Sequence, residues 1–391
     1  MRLAFYYHIP ITSKNNLLSL PSYLGVFIDS LAKEVDKLLL IMHEATLDQA
    51  MEADYVLQGS NIKWLNLGVA SPAWHRHLFH KRILQKIFKE IESFDKIIVR
   101  SPTPLAPFFS KYIHKSKIVF MIVGDYKEGA KQFKIKSLRD WMMVQYLNRN
   151  DFLFRKEMQS TDVMVNSSSL YNKYKTISKS IYQIKTTTLS VNDFYQRKDT
   201  CQGEIIELLY TGRIDPAKGL FDLVASMAYL RSLNFNVRLN IAGWEDNEAK
   251  PVEKELLLKA KQLGVEKFMI FHGRKTVGID LNNIYKMADI YAIPSYHEGF
   301  PRTIWEAMAN GLPVIATTVG AIPECLDHKE NAILVTPRDI TSLINGIQMV
   351  LIKPILRRKL ILNGQKLAKE NTLELQTKKI IDILKDLIKD E

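Results

Sequence analysis

Short apolar runs alternate with longer amphipathic stretches along most of the chain. The runs of the first half are Leu3–Tyr7, Leu38–Met42, Trp64–Leu67, Lys96–Val99, Ile118–Val123 and Val163–Asn166. Those of the second half are Ile206–Tyr210, Val237–Ala242, Met269–His272, Ile290–Ile293, Pro313–Thr317 and Ile333–Val335. Their shortness and their Ile, Val and Leu content are typical of strands that a parallel sheet buries on both faces.

Between these runs lie patterns with a helical period. They cover Ser22–Lys33, His77–Ile91, Leu220–Leu233, Val252–Leu263 and Pro301–Asn310. Because strands and helices alternate in both halves, the chain is predicted to be an α/β protein with two Rossmann-like domains. The polar stretch Thr186–Gln202 has no strong periodicity. We therefore predict domains over 1–190 and 191–372.

The chain ends in two more helical patterns, a long basic one over Leu351–Asn371 and an amphipathic one over Leu373–Ile388. The predicted apolar face of the second comprises Ile380, Ile383, Leu384 and Leu387. An isolated helix of this length is marginal in water, so this face needs a surface to cover.

Composition excludes several classes of protein. Of 391 residues, 47% are hydrophobic and 25% charged, which is typical of a globular chain. The two cysteines are too few for a disulfide scaffold or a four-thiolate zinc site, and indicate reduced thiols. The longest uncharged run, 307–323, contains two Gly and two Pro, so no membrane span is predicted. The N-terminus lacks a signal-peptide pattern, and we expect a cytoplasmic protein.

Charge is divided unevenly between the halves. The net charge is +12, of which residues 1–190 contribute +11. The bases of this half cluster at His75–Lys89, Lys111–Lys117 and Lys131–Arg139, among apolar residues. A basic surface suits phosphates, whether in nucleic acid, at an anionic membrane surface or in a diphosphate-bearing substrate.

The most informative stretch runs from Pro294 to Ala316. A strand ends at Ile293, a loop holds Glu298, and Pro301 suits the first turn of a helix that places Glu306 well over a turn from its start. Free N–H groups at the helix start favour an anion, and ligands bind at this edge of open α/β sheets. A ligand that places phosphates at the helix start and hydroxyl groups against the two carboxylates would be a nucleotide-sugar. The stretch therefore predicts a nucleotide-sugar site.

Two further loops follow predicted strands. In the first, Gly212 lets the backbone turn, and Arg213 and Lys218 place two cations together, as phosphate binding requires. In the second, Gly273 precedes Arg274, and we expect this loop to wall a nucleobase.

Together these residues resemble a family 4 glycosyltransferase with the GT-B fold, in which two Rossmann-like domains face each other across a cleft. The resemblance covers most of residues 204–340. Its matching positions are Gly212-Arg213, Lys218-Gly219, Phe271, Gly273, Ala288-Asp289, Pro294-Ser295, Glu298 and Glu306 with seven residues between them, Ala307, Gly311, Pro313-Val314, Gly320 and Glu324.

This resemblance implies a retaining transferase that moves a sugar from a nucleoside-diphosphate donor to an acceptor hydroxyl without a metal ion. Arg213 and Lys218 would bind the diphosphate, Glu306 the ribose hydroxyls and Glu298 the donor sugar. The backbone contacts of the donor would come from Gly299, Phe300 and Pro301. It also implies that the helix over 373–391 packs on the N-terminal domain.

The resemblance is weaker in the first half. The opening loop has Gly25 but lacks the paired glycines common in the family. Where the family often places a His at the cleft, the chain has Val123-Gly124-Asp125. Asp125, or the backbone of Gly124, would then take that place on the acceptor side.

Other functions remain open at this point. An epimerase or a phosphorylase can share the fold, and basic charge allows a nucleic-acid-binding protein. The last lacks any helix-turn-helix, zinc or RNA-recognition signature, so we expect no nucleic-acid partner. No Asp-x-Asp occurs, and His75, His77 and His80 lack a carboxylate or Cys to complete a metal site, so we expect no metal.

The expected substrates follow from these observations. We predict a UDP-sugar rather than a GDP-sugar donor, and a glycan or lipid-diphosphate-linked glycan acceptor, in the synthesis of cell-surface polysaccharide, lipopolysaccharide or another glycan. A basic domain studded with apolar residues suits peripheral binding to the anionic inner face of a membrane.

Overall fold

The computed structural model describes residues 1–50, 53–127, 137–245 and 247–389. Most of the basic cluster predicted at Lys131–Arg139 lies outside these residues. The chain divides into two compact units, each built around a parallel sheet. Unit 1 comprises Met1–Thr186 and Glu374–Glu391, and unit 2 comprises Thr187–Leu373.

The strands of unit 1 are β1 (Arg2–Tyr6), β2 (Thr12–Lys14), β3 (Leu17–Leu20), β4 (Lys37–Glu44), β5 (Tyr55–Val56), β6 (Ile62–Val69), β7 (Lys96–Ser101), β8 (Ile118–Ile122), β9 (Asp162–Val165) and β10 (Ser180–Gln183). The strands of unit 2 are β11 (Ile206–Arg213), β12 (Val237–Trp244), β13 (Met269–Gly273), β14 (Ile290–Ile293), β15 (Val314–Thr317) and β16 (Ile333–Val335). All twelve predicted strands are confirmed.

The helices that precede the second sheet are α1 (Ser22–Lys33), α2 (Leu47–Ala50), α3 (Ala73–Leu78), α4 (His80–Ile91), α5 (Leu138–Met158) and α6 (Ser168–Tyr174). Those that follow are α7 (Leu220–Ser232), α8 (Pro251–Gln262), α9 (Ile279–Met287), α10 (Thr303–Ala309), α11 (Ile322–Cys325), α12 (Ile340–Ile352), α13 (Pro354–Lys369) and α14 (Leu373–Lys389). None of the described helices is both long and apolar enough to cross a bilayer.

Unit 1 contains a seven-stranded sheet in the order β10-β9-β8-β7-β1-β4-β6, in which every pairing is parallel. Residues 2–4 of β1 lie opposite residues 37–39 of β4. Strands β2, β3 and β5 form a small antiparallel sheet that the apolar pattern did not predict, because two of its strands are mostly exposed.

Unit 2 contains a six-stranded parallel sheet in the order β13-β12-β11-β14-β15-β16. Strands β14 and β15 are buried along their whole length, which explains why their sequences are almost entirely apolar. Strand β11 is paired on one side with β12 and on the other with β14. The chain therefore leaves β11 in one direction and later returns on its other side.

Three predicted helices are wrong in their bounds. The pattern at 77–91 belongs to two helices that meet at Phe79, whose ψ of 19° breaks the first. The basic helix predicted over 351–371 begins only at Pro354, because a proline cannot continue the preceding helix. The helix predicted from Pro301 begins at Thr303, so Glu306 lies in its first turn rather than beyond it.

Helix α5 was missed for a different reason. Its buried positions include Asn150, Asp151 and Glu157, so its inner face is not apolar in sequence. Ser137 caps it by accepting a hydrogen bond from the Asp140 N–H at 3.2 Å.

Helix α14 packs within unit 1. Ile380, Ile381, Leu384 and Leu387 are at most 7% exposed, and the Ser30 and Thr377 hydroxyls lie 2.8 Å apart. The predicted stripe is therefore wrong at one position. Ile381 belongs to it, while Ile383 is only partly buried.

Candidate active site

The candidate site lies at the carboxyl edge of the second sheet, where the ends of β11 and β14 are neighbours. The chain leaves these adjacent strands in opposite directions along the sheet order, and such a switch point is the usual ligand position in folds of this kind. We call residues 214–219, after β11, the first loop. Residues 294–302, after β14, are the second loop.

A close backbone contact joins the two loops. A Cβ atom on Gly219 would lie 2.0 Å from the Pro294 carbonyl oxygen, so only glycine fits there. The Tyr296 N–H donates a 2.8 Å hydrogen bond to the Ala217 carbonyl. The two loops are thus held together by their backbones, whatever their side chains do.

The second loop is also held from the side of β15. A Cβ on Gly320 would lie 1.9 Å from the carbonyl oxygen of Glu298. The Ala321 N–H donates a 2.8 Å hydrogen bond to the Gly299 carbonyl, and the Thr317 hydroxyl donates a 2.6 Å bond to the Ser295 carbonyl. These contacts fix the backbone on both sides of Glu298.

Lys218 and Glu298 form an ion pair across the two loops. The Lys218 Nζ lies 2.6 Å from the Glu298 Oε1, and the Ser295 hydroxyl donates to the same oxygen at 2.8 Å. The side chains of Lys218 and Glu298 are only 16% and 11% exposed. Charge-assisted hydrogen bonds with this little solvent around them orient both groups.

Arg213 is exposed at the end of β11, beside the first loop. Its carbonyl accepts a 2.8 Å hydrogen bond from the buried Tyr210 hydroxyl. Burial raises the pKa of Tyr210 well above its usual value, and the charges of Tyr291 and Glu298 raise it further. The phenol therefore stays protonated and holds the backbone just after Gly212.

Glu306 is buried at 7% exposure, and two donors hold its carboxylate. The Thr188 hydroxyl donates to Oε1 at 2.6 Å, and the Tyr285 hydroxyl donates to Oε2 at 2.9 Å. Burial raises the pKa of Tyr285 well above its usual value, and the charge of Glu306 adds to the rise. Tyr285 is therefore a permanent donor to this carboxylate.

The same hydrogen-bond network continues from Tyr285 to Tyr291, which is also buried. The Thr211 hydroxyl lies 2.7 Å from that of Tyr285 and 3.2 Å from that of Tyr291. The Tyr291 hydroxyl donates to the Thr303 hydroxyl at 2.6 Å. Burial raises the pKa of Tyr291, and the charges of Glu306 and then Glu298 raise it further. Both predicted carboxylates therefore act on one phenol.

The remaining predicted residues of unit 2 border this network. Phe300 stacks on Trp305 with ring centroids 4.5 Å apart, and the Pro301 carbonyl accepts from the Ile304 N–H at 3.2 Å. The Arg274 guanidinium lies 5.1 Å from the centroid of the Trp244 ring. The Trp244 carbonyl in turn accepts from the Ile214 N–H at 2.7 Å, which connects that strand end to the first loop.

Asp125 lies in unit 1, so it is described within that unit. Its carboxylate is 3% exposed and is paired with the Lys173 ammonium. The Tyr174 hydroxyl and the Lys127 N–H also donate to it, both within 2.8 Å. Its role on the acceptor side stays a prediction.

Sequence reasoning missed the residues that hold Glu306. Thr188 lies in the polar join, and Tyr285 lies in a helix that was not predicted. Neither has a local signal, because only the fold brings them to the carboxylate. Within the described ranges, no three His, Cys, Asp or Glu side chains come together as a metal site.

Comparison with known proteins gives a family match for the part of the chain that contains this site. Residues 192–367 match the family model of glycosyl transferases group 1. The matched segment contains every predicted site residue except Asp125.

Two curated relatives illustrate the extent of the similarity. Protein CapJ of Staphylococcus aureus is 26% identical over 294 residues, which cover 73% of this chain and 70% of that one. The lipopolysaccharide 1,2-N-acetylglucosaminetransferase of Salmonella typhimurium is 34% identical over 150 residues, 37% of this chain and 39% of its own. For two other curated relatives, the alignment spans only 42% and 43% of the relative's own length.

Among solved structures, Anabaena HepE in complex with UDP has a TM-score of 0.73 at 16% identity, and the alignment covers 99% of this chain and 100% of that one. Similarity of this kind also extends over both units in a glycosyltransferase from Rickettsia africae and in the glycosyltransferase WaaG, with TM-scores of 0.67 and 0.68. The predicted fold class, GT-B with two parallel-sheet Rossmann-like units, is confirmed.

Proposed function

We propose that this chain is a retaining family 4 glycosyltransferase that moves a sugar from a nucleoside-diphosphate donor to an acceptor hydroxyl. One observation supports this most. The oriented Lys218–Glu298 pair and the buried Glu306 carboxylate lie at the same edge of the sheet. A nucleotide-sugar bound there would contact a cation and two hydrogen-bond acceptors. The family match of this segment supports the same proposal.

Arg213 and Lys218 bind the donor diphosphate in this proposal. The Arg213 guanidinium suits a bidentate phosphate contact, while the Lys218 ammonium acts as a point charge. Before the donor binds, Glu298 holds Lys218 at this edge of the sheet, so little reorganisation is needed when phosphate arrives. Glu298 then accepts from hydroxyls of the donor sugar.

Glu306 binds the ribose hydroxyls. Thr188 and Tyr285 occupy one position on each carboxylate oxygen, and each oxygen has a second lone pair for a ribose hydroxyl. Both protein partners are donors, so the carboxylate remains an acceptor oriented toward another donor. Arg274 borders the nucleobase, and the second-loop backbone at Gly299, Phe300 and Pro301 contacts the donor.

The reaction needs no strong general base in this scheme. The departing donor phosphate takes the proton of the acceptor hydroxyl on the same face of the sugar, so the anomeric configuration is retained. Arg213 and Lys218 stabilise the charge that develops on the leaving diphosphate. The cations supply what a metal ion would otherwise supply, and unit 1, with Asp125, binds the acceptor.

We favour UDP-sugars as donors and cell-surface glycans as products. The solved complex of HepE holds UDP, and the Salmonella relative is named for a transfer to lipopolysaccharide. The basic first half suits an acceptor that bears phosphate and an anionic inner membrane surface.

A donor panel tests the proposal. The chain is incubated with UDP- and GDP-sugars, with and without EDTA, and released nucleotide and sugar are followed by proton NMR. We expect slow release of UDP that EDTA does not change, with an α donor giving an α product. An inverted product, or activity that needs added Mg²⁺ or Mn²⁺, would contradict the mechanism. A changed sugar that stays attached to UDP would indicate an epimerase instead.

A further inference from the structure

Two arginine and two histidine side chains gather at the carboxyl edge of the sheet in unit 1. His8 follows the end of β1, His43 is the second-last residue of β4, and Arg100 is the second-last residue of β7. In the sheet order β7-β1-β4, these strands are neighbours. Arg76 joins them from helix α3, after β6. Ligands bind at this edge in open α/β sheets, and unit 2 uses the corresponding edge for its candidate site.

Contacts with the backbone and with Tyr7 hold these residues near one another. The Arg76 Nη1 donates to the His8 carbonyl at 3.3 Å, and the Ile11 N–H donates to the His43 carbonyl at 2.8 Å. The Arg100 guanidinium lies 4.8 Å from the centroid of the Tyr7 ring, which itself contacts the His8 ring at 4.4 Å. Burial, followed by the charges of Arg76 and Arg100, lowers the pKa of His8 to about 4.

The cluster has polar atoms that the described protein leaves without partners. The buried atoms His8 Nδ1, His43 Nε2, Arg76 Nε and Arg100 Nε have no hydrogen-bond partner among the described residues. His43 is only 2% exposed. The described ion pairs of this unit use other cations, such as Arg155 and Lys173. Unpartnered buried polar groups are costly, and two arginines that form no ion pair among the described residues suit an external anion.

Two cavities open beside the cluster. One, of about 420 Å³, is lined by His8 and Arg76 together with Gln49 and Ser71. The second, of about 400 Å³, is lined by His43, Ser71, Arg82 and Lys86 and by apolar residues. Neither has a carboxylate among its described lining residues, and both share Ser71. The first cavity therefore offers space for a phosphate beside the charge of Arg76, while Arg100 reaches the cluster through the Tyr7 and His8 rings and lies outside the described lining of both cavities.

We propose that Arg76, Arg100, His8 and His43 form a binding site for a phosphate group of the acceptor. The acceptor role rests on the proposed function, whereas phosphate binding stands on the contacts of unit 1 alone. The two guanidinium groups are the principal donors, since arginine matches phosphate geometry. The His43 Nδ1 donates to the Gly68 carbonyl at 3.2 Å, so the Nε2 of the neutral ring is an acceptor, which suits a hydroxyl of the acceptor beside its phosphate.

The experiment measures phosphate binding directly. Full-length protein is saturated with UDP to fill the donor site, and inorganic pyrophosphate is titrated by calorimetry. We expect Arg76→Gln and Arg100→Gln each to weaken pyrophosphate binding about tenfold or more, the usual scale for losing a charge-assisted bond. Lys89→Gln, an exposed change of equal charge on α4, should leave it within about twofold.

Three further arms make the result decisive. Arg100→Lys should recover part of the affinity, which a merely misfolded variant would not. Glucose 1-phosphate and short-chain phosphatidic acid, titrated separately, distinguish a soluble phosphate from a lipid headgroup. Pyrophosphate binding that is absent in the wild type, or that is as tight in both Arg→Gln variants as in the wild type, would overturn the site. A wild-type protein that does not bind UDP would instead contradict the proposed function, because the UDP site is assigned to unit 2.

Discussion

At the level of single residues, the surroundings of Glu306 decide what its carboxylate can bind. The sequence places an acid there, but burial and two hydroxyl donors turn it into an oriented acceptor. A solvated glutamate at the same position would lose its charge-assisted bonds to competing water.

Glu306→Ala should therefore weaken UDP binding by about 2–3 kcal/mol, the loss of two charge-assisted hydrogen bonds. Glu255→Ala, at an exposed position of α8, is the matched control and should change nothing. The dissociation constants of UDP and of its 2′,3′-dideoxy analogue are compared by calorimetry. Removing the ribose hydroxyls should cost the wild type much affinity and the variant little. An equal cost in both would exclude Glu306 as the ribose ligand.

Two histidines of unit 1, His43 buried and His8 partly buried, make stability depend on pH. Burial, followed by the charge of Arg76, lowers the folded-state pKa of His8 and of His43 to about 4, against about 6.5 when unfolded. Between these values the unfolded state binds more protons. Stability is therefore full above pH 6.5 and is lost as the pH falls toward 4.

We expect the melting temperature to fall steeply from pH 6.5 to 4.5, with each histidine contributing at most about 3 kcal/mol. His43→Leu should flatten this slope, whereas the exposed change His114→Leu should not. Differential scanning fluorimetry in matched ionic strength measures it. A slope that is the same in all three proteins would show that these histidines are not buried in the neutral form.

At the level of elements, the site depends on glycines that let loops approach closely. Gly320 and Gly264 both have positive φ, 55° and 70°, so alanine strains the backbone at either position. Only at Gly320 would the added Cβ meet other atoms, the carbonyls of Glu298 and Gly299.

Gly320→Ala should displace the second loop and greatly reduce both UDP binding and donor turnover. Gly264→Ala has open space around its Cβ and should reduce stability by about 1 kcal/mol while leaving UDP binding intact. Calorimetry and melting temperature together separate the two effects. Equal UDP affinity in the two variants would mean that this contact does not position Glu298.

Helix α14 stabilises unit 1 through its apolar face. Leu384 is fully buried, while Leu375 on the same helix is 49% exposed. Leu384→Ala should cost about 2–5 kcal/mol, and Leu375→Ala under about 0.5 kcal/mol. Denaturant unfolding of both variants, and of a chain truncated after Thr372, tests this. A truncated chain as stable as the whole would show that the helix is dispensable.

At the level of the whole molecule, charge asymmetry is the main electrostatic feature. Residues 1–190 contribute +11 of the net +12, and in unit 1 exposed apolar side chains accompany the bases. Trp74 and Leu78 are 61% and 66% exposed, and Lys81, Arg82 and Lys86 follow on α4. Such a surface suits the anionic headgroup region of a membrane.

The protein should sediment with anionic vesicles and not with neutral ones, and salt should reverse the binding. Changing Lys81, Arg82 and Lys86 together to Glu should abolish it, since each nearby base contributes about 1 kcal/mol. Changing Lys254 and Lys261 of α8 to Glu is the control in unit 2. Protein that stays in the supernatant with anionic vesicles at low salt would contradict membrane association.

The sequence by itself determined the two parallel sheets and the charged residues of the first and second loops. A strand that is buried on both faces has a continuous apolar sequence, which can be recognised without knowledge of the tertiary structure. The charged residues of the loops at the strand ends are likewise visible in the sequence. It failed where the buried surface is polar or the strands are exposed, as in α5 and β2, because no apolar period marks them.

Only the tertiary structure decided how the candidate residues are held. It paired Lys218 with Glu298, brought Thr188 and Tyr285 to Glu306, and gathered His8 and Arg100 from separate strands. Such contacts join residues tens to more than a hundred positions apart, and each partner is an ordinary polar residue in its own segment. Their proximity depends on strand order and backbone approach, which a local pattern of side chains does not encode.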